Sequence, residues 1–287
     1  MDDNILDKTV ITGANGMVGS YVDFGIKVNK RLLDVTDLME TMKIIDQYQP
    51  RAIIHLAAET DVDRCERDPM YAYFVNAIGT YNVAVAAQKV GAKMVYVSTS
   101  AVFDGFSKDP YSEDDKTNPQ YFYGRSKYIG EVVVRDISDD YIIARVCGVF
   151  GGGPKKDQKF VSKIINQLKK KDCQEIKAIN DSFISPTFGK DLINHLKYLI
   201  KKDAKGIFHL SNKGVCSRYD MVVKIIEVLG KDVKVMPVDS SYFNLPAQRG
   251  MNESMVSKRF DLARDWQKAL EEYLREEWLP TLKLLRY

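Results

Sequence analysis

Tyr123 and Lys127 stand four residues apart in a stretch, 121–135, with the pattern of a helix. That spacing puts both side chains on one face. A phenol ionises near ~10, too high for proton exchange at neutral pH, but an adjacent ammonium favours the phenolate and lowers that value. Such a tyrosine can give its proton to a carbonyl oxygen while hydride reaches the carbon. Alone, Tyr-x-x-x-Lys carries little weight, because the pair arises by chance in many helices. Its company gives it meaning. Upstream, Ser98 and Thr99 end a strand-like run, where a hydroxyl can bond the same carbonyl, or simply cap a turn. Further upstream, Thr12-Gly13-Ala14-Asn15-Gly16-Met17-Val18-Gly19 spaces glycines three apart. The first permits a tight turn, the second lets backbone approach a pyrophosphate, and the third allows close helix–sheet packing. A plain strand–helix turn needs one glycine, not three. Glycine loop, hydroxyl-bearing strand end and Tyr-x-x-x-Lys, in that order, are the parts of a dinucleotide-dependent carbonyl reductase.

The second strand selects the dinucleotide. NAD sites place an acid at its end for the ribose hydroxyls, whereas NADP sites place basic residues there for the 2′-phosphate. Here the strand runs into Asn29-Lys30-Arg31, and no carboxylate follows until Asp34. The charge logic favours NADPH, with NADH the alternative; Lys30 and Arg31 also suit an ordinary exposed turn. After the third strand, His55-Leu56-Ala57-Ala58 offers small residues that let the chain pass close to a cofactor. His55 itself reads as a packed strand residue rather than a catalyst. The three histidines and four cysteines are scattered, with no C-x-x-C pair, so no metal site is expected and the thiols read as reduced, in a cytoplasmic protein. A net charge of +3 is spread along the chain and argues against a nucleic-acid partner. The densest basic runs, Lys155-Lys156 and Lys169-Lys170-Lys171, read as solvated faces. No apolar stretch approaches the ~18 residues of a membrane span, and the short acidic start, 1–8, has no signal-peptide core.

These groups need elements to hold them. Thr9-Val10-Ile11, Ala52-Ile53-Ile54, Met94-Val95-Tyr96-Val97 and Tyr141-Ile142-Ile143-Ala144 read as strands buried on both faces. Helical patterns at 37–48, 71–90 and 121–135 separate them. The alternation implies an α/β fold with a doubly wound parallel sheet of Rossmann type, whose ligands sit at the carboxyl ends of the strands. Few residues separate Gly19 from the second strand, so the first helix must be short. Gly151-Gly152-Gly153-Pro154 then breaks the rhythm. Residues 1–150 are expected to form the dinucleotide domain and 151–287 mainly a smaller α/β substrate lobe, some segments returning to the first. In that lobe, helices are expected at 160–170, 191–201, 218–229 and 266–274, and strands near 175–179 and 207–210.

With these residues in view, the chain resembles the extended short-chain dehydrogenase/reductase superfamily and, within it, the dTDP-4-dehydrorhamnose reductase family. The likeness runs through Leu33-Asp34-Val35-Thr36-Asp37, Ala57-Ala58-Glu59-Thr60-Asp61-Val62-Asp63, Val75-Asn76-Ala77, Ser98-Thr99, Val102-Phe103-Asp104-Gly105 and Tyr123-Gly124-Arg125-Ser126-Lys127. It continues through Ser185-Pro186-Thr187, His209-Leu210-Ser211 and Ala247-Gln248-Arg249, the discriminating matches. The resemblance implies a catalytic trio of Thr99, Tyr123 and Lys127, and reduction of a 4-keto-6-deoxy sugar carried on a nucleoside diphosphate. It implies dinucleotide contacts from Gly13, Asn15, Gly16, Met17, Val18, Gly19, Asn29, Lys30, Arg31, Asp34, Val35, Leu56, Ala57, Ala58, Thr60 and Asn76, besides Tyr123 and Lys127. The nucleotide-sugar would meet Val62, Thr99, Ser100, Ala101, Tyr123, Gly148 and Arg249, the last at the diphosphate. Relatives commonly pair through the helices at 71–90 and 121–135, so a homodimer is expected.

Two departures bear on the sugar. The family carries Asp-Tyr after the threonine, where this chain has Ser100-Ala101, and a tryptophan where it has Gly148. Losing a large aromatic is expected to leave room for a sugar other than, or larger than, dehydrorhamnose. Ser100-Ala101 also lacks the acids a 4,6-dehydratase needs. A nucleotide-sugar epimerase, which keeps NAD bound, remains an alternative. So does a non-catalytic NADP-binding regulatory subunit, as in methionine adenosyltransferase, which acts through a partner enzyme.

Overall fold

The computed structural model describes residues 5–170 and 172–284, residues 283 and 284 by backbone alone. Lys171 of the lysine run and the first four residues of the acidic start lie outside the described residues. Six parallel strands form the central sheet: β1 (Thr9–Thr12), β2 (Ile26–Val28), β3 (Ala52–His55), β4 (Lys93–Thr99), β5 (Tyr141–Val146) and β6 (Gly206–His209). They lie in the order β6-β5-β4-β3-β1-β2. Consecutive side chains point to opposite faces, and both faces are covered. Val10, Ile53, Met94 and Ile143 pack with Val83, Ala87 and Val134. Their neighbours Ile11, Ile54, Val95 and Ile142 pack with Leu192, Leu196 and Ile200. That double burial is why the strands read as continuous apolar runs. The chain steps outward from β1 to β2 and returns beyond β1 as β3, which opens a crevice at the carboxyl ends of β1 and β3.

The helices follow their capping signals. Asp37 and Asp61 accept backbone N–H bonds from Glu40 and Arg64, starting Leu38–Tyr48 and Val62–Arg67, the latter not anticipated from sequence. The single helix expected over 71–90 is three segments in succession: Pro69–Tyr73, a π segment Phe74–Ile78, and Gly79–Lys89. The π segment holds the fully buried Asn76. The Tyr123 helix spans Phe122–Ile137. The helix after the glycine loop is a single 3₁₀ turn, Gly19–Tyr21.

Beyond Phe150 a second core gathers Ile164, Phe188, Met221, Trp266, Leu270, Tyr273 and Trp278. Glu175–Ile179 pairs in parallel with Lys234–Val238, a strand the sequence reading passed over because Pro237 interrupts its ladder. The helix Gly189–Lys201 and β6 return to the central sheet, so the two cores interleave along the chain. Among the described residues no helix is long and apolar enough to cross a membrane. All four cysteines are unbonded.

Candidate active site

Loops after β1, β2 and β3 meet in a crevice of about 300 Å³. Gly13, Asn15, Gly16, Asn29, Lys30, Asp34, Val35, Leu56, Ala57 and Ala58 line it, as expected from sequence. Leu33, Thr36, Glu59, Tyr71 and Val75 line it too, without having been expected there. The glycines divide the labour. Gly13 holds φ +67°, and a Cβ there would stand 2.6 Å from Ala57 N. On Gly19 it would stand 2.4 Å from Ala14 O. On Gly16 it would meet only Gly13 O, at 3.2 Å, so this position faces the crevice. A narrow, glycine-lined floor opening on small residues fits a dinucleotide pyrophosphate. Lys30 Nζ lies 3.8 Å from the Asp34 carboxylate, which a hydrogen bond from the Thr36 hydroxyl holds below the usual carboxylate range.

Other expected contacts sit apart from the crevice lining. Met17 packs beneath Gly152, and Val18 against the core on one face of the sheet. Arg31 is exposed, its backbone N–H donating to Asn29 Oδ1 at 2.9 Å. Thr60 accepts from Lys159 Nζ, at 2.9 Å on its carbonyl and 3.1 Å on its hydroxyl. Asn76 is a brace: Oδ1 accepts from Glu59 N at 2.8 Å, while Nδ2 donates to Glu59 O at 3.1 Å and to Ser126 Oγ at 3.0 Å. It thereby joins the crevice rim to the Tyr123 helix. Lys156 Nζ reaches Asn15 O at 2.9 Å, and Gly152 N donates to Tyr21 Oη at 2.5 Å, so the segment after β5 folds over the glycine loop.

At the neighbouring strand ends, register sets the chemistry. β4 and β5 align Ser98 with Arg145 and Thr99 with Val146. Of the two adjacent hydroxyls, Ser98 turns away and donates to Glu131 Oε1 at 2.6 Å. Arg145 grips that buried carboxylate from Nε at 2.9 Å and Nη2 at 2.7 Å. Alternation along the strand then leaves Thr99 on the Tyr123 side. Thr99 Oγ1 accepts from Ala101 N at 3.2 Å, so the hydroxyl caps the turn. Burial raises the Tyr123 phenol well above its ordinary value, and the nearby Thr99 hydroxyl opposes this. One turn on, the buried Lys127 ammonium lies 4.1 Å from the Tyr96 ring centroid, with its carbonyl accepting from Tyr96 Oη at 3.2 Å. Burial lowers Lys127 to about 7, with Glu131 pulling it back up. His55 shares a 2.8 Å hydrogen bond with Thr12, and burial holds its imidazole down at about 3, so it is neutral and packed.

The opposite side of Tyr123 is built from distant segments. Val62, Ala101, Tyr121 and Ala247 pack with it. Glu253, which no local motif announces, accepts from Tyr121 Oη at 2.7 Å and from Ser100 Oγ at 3.5 Å. Two residues expected at the nucleotide-sugar have these surroundings. The room beside Gly148 is filled: a Cβ there would stand 2.8 Å from Ile184 Cδ1 and 3.7 Å from Arg218 Nη1. Arg249, expected at a diphosphate, is paired with Asp63, Nη2 to Oδ1 at 3.1 Å.

Comparison with known proteins agrees with this arrangement. Residues 7–278 match the family described as RmlD substrate binding domain. The chain is 31% identical over 283 residues to the spore coat polysaccharide biosynthesis protein SpsK of Bacillus subtilis, covering 94% of this chain and 98% of that one. It is 33% identical over 283 residues to the dTDP-4-dehydrorhamnose reductase of Mycobacterium tuberculosis, covering 92% and 91%. It superposes, with a TM-score of 0.88 and 34% identity, on the crystal structure of the dTDP-4-dehydrorhamnose reductase of Bacillus anthracis in complex with NADP, covering 93% and 98%. By sequence and by architecture alike, the chain belongs to the dTDP-4-dehydrorhamnose reductase family of the extended short-chain dehydrogenase/reductases.

Proposed function

We propose that this chain is an oxidoreductase that uses NADPH, with NADH the lesser alternative, to reduce the 4-keto group of a nucleotide-linked 6-deoxy sugar. The observation that carries this reading is the buried Tyr123 phenol beside the Thr99 hydroxyl, on the helix that Asn76 ties to the glycine-lined crevice. The names of the M. tuberculosis and B. anthracis relatives, and the NADP bound to the latter, support it. Gly13, Gly16, Lys30 and Leu56 to Ala58 hold the dinucleotide, which supplies hydride to the carbonyl carbon when bound. Tyr123 stays protonated at neutral pH because its site is buried, so its O–H donates to the carbonyl oxygen and the proton follows as that oxygen gains charge. Thr99 holds the phenol at the strand end, and the cation of Lys127 stabilises the phenolate left behind. The lobe after Phe150 takes the nucleotide.

NADPH absorbance, followed with dTDP-, UDP- and GDP-linked 4-keto-6-deoxy sugars, tests the reading. Wild-type protein oxidises the cofactor with at least one of them. Tyr123→Phe lowers that rate by about 10²–10⁴-fold, the usual worth of a positioned acid, while leaving NADPH affinity intact. Silence of the wild type across the panel would remove the reductase assignment.

The chain also pairs as a homodimer in this reading. Met70, Phe74, Ile78 and Tyr81 form an exposed apolar stripe beside Ile129 and Val132 of the adjoining helix, more contiguous apolar surface than scattered exposed residues make. Sedimentation at the mass of one chain at micromolar concentration would overturn it.

A further inference from the structure

Several guanidinium groups among the described residues are paired with carboxylates. Arg145 holds Glu131, Arg264 holds Asp191 and Glu272, and Arg249 holds Asp63. Arg218 is the departure. It opens the helix Arg218–Leu229, directly after its cap Ser217. The nearest acid in sequence, Asp220, is taken up by that cap, accepting from Ser217 N at 2.8 Å and Oγ at 2.7 Å. The Arg218 guanidinium touches Met221 Sδ at 3.6 Å and lies 4.8 Å from the Phe160 ring centroid. Among the described residues no carboxylate pairs with it. Arg218 is half-buried and partly desolvated, so an anion arriving from outside would be held more strongly there than at a fully hydrated arginine.

The position says where the anion comes from. Arg218 Nη1 and Nη2 lie 3.7 and 3.8 Å from where a Gly148 Cβ would stand. Cys147 and Gly148 follow directly on Val146, the register partner of Thr99. Arg218 therefore stands at the same sheet edge as Thr99 and Tyr123. Glu253, which accepts from Tyr121 and Ser100, favours the Arg218 cation without pairing with it.

We propose that Arg218 binds an oxyanion of the substrate, either a carboxylate on the sugar or a diphosphate oxygen, and that this role falls to Arg218 rather than to the Asp63-paired Arg249. The inference rests on the nucleotide-sugar reading above and deepens it. A planar guanidinium offers two parallel N–H donors to such a group, and both Nη atoms lie beside Gly148, where there is no side chain between them and the strand end. If the anion is a sugar carboxylate, the substrate moves from the 6-deoxy sugars towards the uronic acids.

Calorimetric titration with dTDP, UDP, UDP-glucose and UDP-glucuronate separates the sources, using wild type, Arg218→Met, Arg218→Lys and Arg249→Met. Arg218→Met weakens every diphosphate tenfold or more if it reads the diphosphate. It weakens UDP-glucuronate alone, erasing its advantage over UDP-glucose, if it reads a sugar carboxylate. Arg218→Lys keeps part of either effect, and Arg249→Met loses less than Arg218→Met. Should Arg218→Met not fold, Arg218→Gln replaces it, and Arg218→Lys must then bind more tightly than Arg218→Gln. Equal affinities for wild type and the neutral variant across all four probes would overturn the proposal while leaving the nucleotide-sugar reading standing. Wild type binding none of the four would remove both.

Discussion

Two regions share one edge of the sheet and are built in opposite ways. The cofactor crevice is made from three short loops, each following directly on its strand, with backbone and small side chains as the working surface. The Tyr123 end, the sugar site in the reading proposed above, draws Thr99 from the end of β4, Ser100 from the turn after it, Gly148 from the loop after β5, Arg218 from a helix start and Glu253 from a late loop. A region made of backbone is fixed by sterics. A region made of long side chains is free to change its ligand without changing the fold. The crevice also lacks a device usual at such sites. Its first helix is one 3₁₀ turn, too short for a macrodipole. Enclosure comes instead from the second lobe, through the Lys156–Asn15 and Gly152–Tyr21 contacts. The glycine loop thus depends on the segment after β5 as well as on its own strands.

Two glycines, one in each region, break or sharpen the contrast. Gly13 and Gly148 both hold positive φ, +67° and +49°, so each alanine carries a backbone strain of about 1–2 kcal/mol. What the new methyl meets differs. At Gly13 it meets the Ala57 backbone at 2.6 Å, which cannot yield without displacing the crevice floor. At Gly148 it meets the tip of Ile184, which can rotate away. Gly13→Ala is expected to weaken NADPH binding more than a hundredfold, an effect of about 3 kcal/mol or more on the usual scale. Gly148→Ala should leave NADPH affinity within about twofold, on the same scale, and move only the KM for the sugar. Fluorescence titration of NADPH on both variants decides. Comparable cofactor loss in Gly148→Ala would mean that the two regions are not separable.

The same contrast explains what the sequence disclosed. The sheet, the glycine loop and the Tyr123 helix were legible because each is local: a buried strand, a turn whose glycines answer nearby backbone, or an i, i+4 face. The caps Asp37 and Ser217 are equally local, each accepting from the backbone N–H three residues on. The residues alone left open which of two adjacent hydroxyls faces the site, because strand alternation decides it, and Ser98's partner Glu131 lies 33 residues away. The 71–90 helix hid its π segment, since inserting one residue in a turn leaves the apolar pattern nearly intact. Lys234–Val238 was missed because its apolar alternation is weak and its proline unusual in a ladder. Glu253 and Arg218 carried no signal at all. A carboxylate beside an unremarkable Asn and Ser, or an arginine opening a helix, becomes chemistry only when segments more than a hundred residues apart meet, as Ser100 and Glu253 do.

A smaller effect tests whether the crevice, too, has one region decided by side chains. Lys30 stands on the rim with Asp34, their charges 3.8 Å apart. A 2′-phosphate entering there meets one attractive and one repulsive group, and exposure of both side chains keeps each contribution modest. Lys30→Ala removes the attraction and leaves the Asp34 carboxylate uncompensated, so KM for NADPH should rise about tenfold while KM for NADH stays nearly level. Asp34→Asn should act with the opposite sign, lowering KM for NADPH by about threefold, since a screened like charge is worth less than a direct contact. The ratio of the two cofactors, measured with one sugar, isolates the phosphate from any general damage to the loop. If Lys30→Ala raises both KM values together, the cofactor preference does not lie in this pair, and the β2 loop is scaffold in the way that the glycines are.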